Sequence, residues 1–201
     1  MPDSEQPQTK RIGLTIDPLD KRAALILVDV QEGFDDPAWG HRNNPEAEEN
    51  IADLLFYWRQ RGLPIFHVQH LSMEDGSPLA PGTPGCEIKG AARPLAGEPL
   101  IEKNVNSAFI GTDLEALLRT GGIDTVVITG LTTDHCVSTT ARMAGNLGFD
   151  TYVVSDATAT FDRAGPDGKL HAADTVHEMS LVNLHHEFAT IVSTATLAGE
   201  R

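Results

Sequence analysis

The chain is poor in cysteine and in positive charge, and it has no long hydrophobic run. Each shortage excludes something. Two cysteines in 201 residues, Cys86 and Cys136, do not make the disulfide framework of a small secreted domain. Fifteen Lys and Arg against 29 Asp and Glu leave a net charge of −14. That sign repels nucleic acid and anionic membrane surfaces, so neither is expected as a partner. No stretch approaches the run of about 18 apolar residues that a membrane span needs. The opening Met1-Pro-Asp-Ser-Glu-Gln-Pro7 lacks both a basic start and an apolar core, so it reads as no signal peptide. A partly disordered lead over residues 1–20 and a cytoplasmic location are the expectation. Internal repeats, low-complexity tracts and interdomain linkers are also missing, which leaves one domain over 21–201.

What the chain does have is an alternation of strand and helix signals. Ala23-Ala-Leu-Ile-Leu-Val-Asp29-Val30 is a near-continuous apolar run, the pattern of a strand buried on both faces, with Asp29 at its carboxyl end. Asn44-Pro45-Glu46 predicts a capped helix start, Ile51, Leu54, Leu55 and Trp58 its apolar face, and Gly62 its stop. Pro64–Gln69 and Pro99–Lys103 read as strands, and Thr112-Asp-Leu-Glu115 as a capping box. Thr125–Thr129 reads as a strand, Thr133–Leu147 as a helix, Thr151–Ser155 as a strand, His171–Glu187 as a helix and Phe188–Val192 as a last strand. This order predicts an α/β protein: a three-layer α/β/α sandwich around a mostly parallel sheet. Between 71 and 97 lies a Pro/Gly-rich connection of the length that shapes or covers binding sites.

Three residues stand at predicted carboxyl ends of strands or just beyond them, where ligands bind in such sheets: Asp29, Lys103 and Cys136. Cys136 follows Val126-Val-Ile-Thr-Gly-Leu-Thr-Thr-Asp-His, a strand, a glycine and polar residues leading into a helix. A helix N-terminus favours anions, so that position suits a thiolate and an oxyanion alike. A cysteine in an apolar setting is more often a small core residue, and Lys103 can serve simply as a counterion to buried Asp29. The three together favour catalysis.

Three blocks carry a family resemblance: Leu27-Val-Asp29-Val-Gln31-Glu-Gly-Phe34, Lys103-Asn-Val-Asn-Ser-Ala-Phe109 and Gly130-Leu-Thr-Thr-Asp-His-Cys136-Val-Ser-Thr-Thr-Ala141. With weaker support from Asp156-Ala157 and Glu187-Phe-Ala189, the chain resembles the isochorismatase-like cysteine hydrolases from about Arg22 to Thr194. That superfamily includes nicotinamidases and N-carbamoylsarcosine amidases. The resemblance implies a six-stranded, Rossmann-like parallel sheet and an Asp29–Lys103–Cys136 triad. It also implies a cis Leu131–Thr132 peptide, with the Thr132 and Cys136 N–H groups as oxyanion hole. The implied reaction is cleavage of an amide, ureide or lactam C–N bond of a small molecule through a thioester. Vinyl-ether hydrolysis of the isochorismatase type and a retired, non-catalytic binding scaffold are the alternatives.

Nicotinamidases carry an Asp-x-His and a further His for a metal. After Phe34 this chain offers Asp35, Asp36 and a single His41 without that spacing, so no metal and no other cofactor is expected. Gln31, Phe34, Trp39 and Phe109 are candidate pocket residues, with packing the open alternative for Trp39 and Phe109. His41, Arg42 and Asn43 read as a solvated loop, His67 and His70 as satisfied core histidines, and His135 as a local structural contact. His177, His185 and His186 read as surface or interface residues, and Cys86 as incidental. The resemblance further implies a homodimer or homotetramer.

Overall fold

Residues 23–198 are described by the computed structural model, so the lead expected over 1–20 lies outside the described residues. In chain order the elements are β1 (Ala23–Val28), α1 (Ala47–Arg61), β2 (Ile65–His70), β3 (Leu100–Lys103), α2 (Leu114–Thr120), β4 (Thr125–Leu131) and α3 (Ser138–Asn146). They continue with β5 (Asp150–Ala159), β6 (Arg163–Ala164), β7 (Leu170–His171), α4 (Ala173–Leu184), β8 (Thr190–Val192) and α5 (Thr194–Ala198). The main sheet has six strands in the order β3-β2-β1-β4-β5-β8. Every pairing in it is parallel, where the sequence predicted a mostly parallel sheet. Its direction of growth reverses between β1 and β4, and such a switch point opens a crevice beyond the strand ends.

Alternation along β1 builds the two outer layers. Leu25 and Leu27 pack against Ile51, Leu54 and Trp58 of α1 and Leu197 of α5. Ala24, Ile26 and Val28 face the other way, toward Leu114 and Leu118 of α2, Ala141 of α3 and Leu184 of α4. Each such large apolar side chain contributes about 1.5–3 kcal/mol by leaving water.

Several local expectations changed. Asn44 does not cap α1: it sits at φ +42, and its Nδ2 donates to the Ser155 and Thr158 carbonyls at 2.9 and 2.7 Å. A tertiary anchor to β5 outcompetes the local cap. The capping box at 112–115 does not close either: the Thr112 hydroxyl donates to the Ala108 carbonyl at 2.6 Å and accepts from the Leu114 N–H at 3.3 Å, one residue short of Glu115. The helix predicted over 133–147 begins as a π-helical turn, Thr133–Val137, before α3. α4 is shorter than predicted, and the hairpin β6–β7 had no sequence signal.

β5 runs far past the predicted Ser155. A register shift between Ile128 and Gly130 lets Thr158 and Ala159 pair with Gly130 and Leu131. Gly130 has φ +113, and a Cβ there would lie 1.9 Å from the Val28 carbonyl oxygen. Only glycine permits β4 to bend this closely over β1. That bend carries the chain from β4 toward Cys136.

Candidate active site

β1 ends one residue before Asp29, whose backbone turns to φ +53, an uncommon region for any residue with a Cβ. The turn is held at both ends: the Asp29 N–H donates to the Val68 carbonyl, and its own carbonyl accepts from the Gln31 N–H, each at 2.9 Å. β3 delivers Lys103 as its last residue, and the π-helical turn delivers Cys136. Asp29 and Lys103 have fully buried side chains. Lys103 Nζ donates to Asp29 Oδ2 at 2.6 Å, to His70 Nδ1 at 3.0 Å and to Cys136 Sγ at 3.4 Å. The three protons of one ammonium are thereby spent on three different acceptors.

Asp29 Oδ1, by contrast, has no hydrogen-bond partner although it is buried. Asp29, His70 and Cys136 bring a carboxylate oxygen, a ring nitrogen and the sulfur within 4.8 Å of one another. These are metal-type donors, but Lys103 bonds to all three, so an ammonium already serves as their cation. A divalent ion would have to displace it.

Burial decides the electrostatics. It pushes the Asp29 carboxyl up, with the Lys103 charge pulling the other way. Cys136 is also pushed up, first by burial and next by the Asp29 charge, against the pull of Lys103. This corrects the sequence expectation of a thiol acidified by its helix terminus. Desolvation of a thiolate inside the cleft outweighs a helix dipole worth about 0.3–1 kcal/mol. The resting site holds a thiol beside a carboxylate that has one oxygen free.

Above these groups lies a cleft of about 250 Å³ whose walls include Phe34, Trp39, His70, Ser77, Asn106 and Arg163. Phe34 and Trp39 meet at a tilt, with ring centroids 5.4 Å apart, and both stack on Phe161, at 6.2 and 5.5 Å. The Trp39 indole N–H is fixed on the Gly33 carbonyl at 2.8 Å. Ser72, Glu74 and Leu79 bring the 71–97 connection to the same cleft. Thr132 also borders it, and the Leu131–Thr132 peptide is cis.

Two candidate pocket residues lie elsewhere. Gln31 is 0% exposed, because its carboxamide is consumed by the His70 backbone on both sides and by the Cys86 carbonyl. Phe109 stacks on Phe149, at 5.9 Å between centroids, in the core on the α2 and α3 side of the sheet. The loop 41–43 is not simply solvated: Arg42 pairs with Glu48, and Asn43, which is buried, accepts at Oδ1 from the Thr160 N–H at 2.7 Å. His67 is a core histidine paired with Glu98 at 2.8 Å. His177, expected at the surface, is half-buried with Nδ1 2.9 Å from the Thr133 hydroxyl.

His70 and Arg163 were not foreseen as cleft residues. His70 had a usable signal, since it ends β2 in register with Lys103, the same strand-end position that singled out Asp29. Arg163 had none. Its guanidinium is held on the Asp134 carboxylate at 2.7 Å and reaches the Thr132 hydroxyl at 3.4 Å, contacts that exist only after folding.

Comparison with known proteins agrees with this fold. The model of the isochorismatase domain matches residues 23–196. An uncharacterized isochorismatase family protein of Bacillus subtilis, YrdC, is 50% identical over 182 residues, 90% of this chain and 97% of its own. A crystal structure of an isochorismatase-family protein from Chromobacterium violaceum superposes with a TM-score of 0.86 at 46% identity, covering 90% of this chain and 94% of that one. Nicotinamidase 3 of Arabidopsis thaliana is 31% identical, covering 88% of this chain and 87% of its own. Maleamate amidohydrolase of Pseudomonas putida is 28% identical, covering 86% and 84%.

Proposed function

Since the chain belongs to the isochorismatase family, we propose that it hydrolyses a C–N bond of a small amide, ureide or lactam with Asp29, Lys103 and Cys136 as a catalytic triad. The observation that carries this reading is the single ammonium shared by a carboxylate at 2.6 Å and a sulfur at 3.4 Å on the floor of a cleft. Relatives named as a nicotinamidase and a maleamate amidohydrolase support an amide as the bond cleaved.

In this mechanism Asp29 takes the thiol proton on its free oxygen as Cys136 sulfur attacks the carbonyl carbon. Deprotonation is coupled to attack, because the isolated thiolate is disfavoured by burial. The N–H groups of Thr132 and Cys136 hold the oxyanion that develops. Its collapse breaks the C–N bond, and Asp29 returns the proton to the departing nitrogen, which leaves as ammonia or a small amine. Water then gives a proton to Asp29 and adds to the thioester carbon. The acid departs, and the sulfur regains its proton. Lys103 keeps positive charge beside both partners throughout.

The reading includes a homodimer or homotetramer working in the cytoplasm, where two free thiols stay reduced. Among the described residues no helix is long and apolar enough to cross a membrane. The test is an ammonia-release screen over small primary amides, ureides and lactams, with Cys136→Ala as blank. Acid-quenched intact mass should then carry one acyl group on Cys136. Pyruvate release from isochorismate without ammonia from any amide would replace amide hydrolysis with vinyl-ether cleavage. Absence of both reactions and of the acyl adduct would leave a binding scaffold.

A further inference from the structure

His70 stands beside Lys103 in the sheet register and borders the cleft with Asp29 and Cys136. An ammonium has protons to give and no lone pair, so in the 3.0 Å contact with Lys103 the His70 Nδ1 is the acceptor. The ring proton therefore resides on Nε2. That Nε2 makes no hydrogen bond among the described residues, and it is not one of the sealed polar atoms left without a partner. Burial and the Lys103 charge push the ring down to about 4, which keeps it neutral at neutral pH.

The backbone of His70 is held as tightly as its ring. Gln31 Oε1 accepts from the His70 N–H at 2.8 Å, and Gln31 Nε2 donates to the His70 carbonyl at 3.0 Å. A fully buried carboxamide thus clamps a residue whose one unspent polar group is an N–H at a cleft wall. Arg163 on the same wall adds further donors. Preorganised donors of this kind recognise oxygen acceptors.

We propose that His70 is a catalytic residue that donates from Nε2 to a substrate oxygen while its Nδ1 holds the Lys103 ammonium between Asp29 and Cys136. This rests on the amide-hydrolase reading and narrows it. The scissile carbonyl is assigned to the Thr132 and Cys136 N–H groups, so the oxygen on His70 belongs to a second group. The substrate class is a small amide that also bears a carboxylate or a second carbonyl.

Two conservative variants separate the two tasks. In His70→Asn the side-chain oxygen takes the Nδ1 position and still accepts from Lys103; in His70→Gln the amide nitrogen takes the Nε2 position and still donates to substrate. The probes are succinamate, which has the second acceptor, and butyramide, which lacks it. His70→Asn is expected to lower kcat/KM on succinamate about 10–100-fold and on butyramide less than about 3-fold, whereas His70→Gln, which loses the Lys103 acceptor, should lower both probes alike and keep the succinamate-to-butyramide ratio near that of wild type. Equal losses on both probes in His70→Asn, a fully active His70→Asn, or a His70→Gln with the selectivity of His70→Asn would overturn the proposal.

Nitrogen-15 NMR of the resting protein supplies a readout that needs no turnover. A neutral His70 protonated on Nε2 at pH 7, whose Nε2–H resonance moves when succinamate binds Cys136→Ala, supports it. An Nδ1-protonated or charged ring, or no movement at saturating succinamate, refutes it. Failure of the amide-hydrolase reading looks different: wild type would release no ammonia from either probe whatever the ring's state.

Discussion

Asp29 and Glu48 are both carboxylates hydrogen-bonded to a buried lysine, yet burial and pairing leave them in opposite states. Glu48 accepts from Lys89 at 2.7 Å and from both Arg42 Nη atoms at 2.8 and 2.5 Å, so two cations converge on one carboxylate. Its carboxyl is held down to about 2, desolvation notwithstanding. Asp29 has one lysine, and that lysine is divided among three acceptors. Here desolvation wins, and the carboxyl is pushed up. The first arrangement fixes α1 to the loops around it. The second leaves a carboxylate able to accept and release a proton, with an unpartnered oxygen to do it. Under the proposed mechanism, incomplete satisfaction marks the reacting carboxylate, and complete satisfaction the structural one.

The sharpest way to break the comparison is to remove the group that uses Asp29. Cys136→Ala and Asp29→Asn should each lower turnover by at least about 10³-fold, and Cys136→Ala, which leaves the Asp29–Lys103 pair intact, should keep Tm within a few degrees. Glu48→Gln, tested in the same ammonia assay, should leave turnover within about 2-fold, because Glu48 does not border the cleft. The pH profile sharpens the point. Asp29 must be ionised to act, and its carboxyl is raised, so the acid limb of kcat/KM should lie above the ordinary aspartate value of about 3.9. A limb at or below that value would mean that Asp29 is not the base.

Lys103→Met attacks the other side of the pair. Breaking a buried ion pair leaves an uncompensated charge and costs about 3–5 kcal/mol, so this variant should show the largest stability loss at neutral pH. The sign follows from linkage. Without Lys103 the folded-state carboxyl of Asp29 rises further above its unfolded value, the folded state binds the proton more tightly, and the penalty shrinks as pH falls. Urea melts at pH 7 and pH 4.5 check this: the gap to wild type should narrow in acid. A gap that stays constant would show that the loss is packing around the lysine stem rather than charge.

Strand-end chemistry was legible in the sequence because a buried parallel strand is a continuous apolar run, and the polar residue that ends it stands out. Asp29 and Lys103 stood out that way, Cys136 by the helix start that follows β4, and the parallel sheet with its two helical layers came with them. Boundaries were not legible where a distant partner competes with a local one, as with Asn44, which spends its side chain on β5 instead of capping α1. Gln31 and Phe109 were placed at the cleft on nearness in sequence alone. Neither sequence distance nor residue type reveals that a glutamine will pair with the backbone of residue 70. The thiol's state was misjudged for a related reason: a helix N-terminus is visible in sequence, whereas the depth of burial that outweighs it is a property of the folded cleft.

The smallest expected effect tests the structural half of the comparison. Glu48 titrates at about 2 in the folded protein and near 4.3 when unfolded, so below pH ~4 the unfolded state takes up the proton first. Its contribution is fully present above pH ~5 and is lost as pH falls through ~4 toward ~2. Glu48→Gln keeps the shape and some hydrogen bonding, so the loss at pH 7 should be about 1–3 kcal/mol, below that of Lys103→Met. Wild type and Glu48→Gln should then converge in stability near pH 2–3, provided both remain folded enough to melt. Asp134, held down to about 2 by Arg163 and Thr160 against its own burial, adds a second group with the same sign. In a double variant with Asp134→Asn, the two stability losses should add, since the carboxylates have different hydrogen-bond partners. Strong non-additivity would mean that the α1 anchor and the Arg163 wall of the cleft move as one unit, and the separation between structural and reacting carboxylates would have to be redrawn to include the wall.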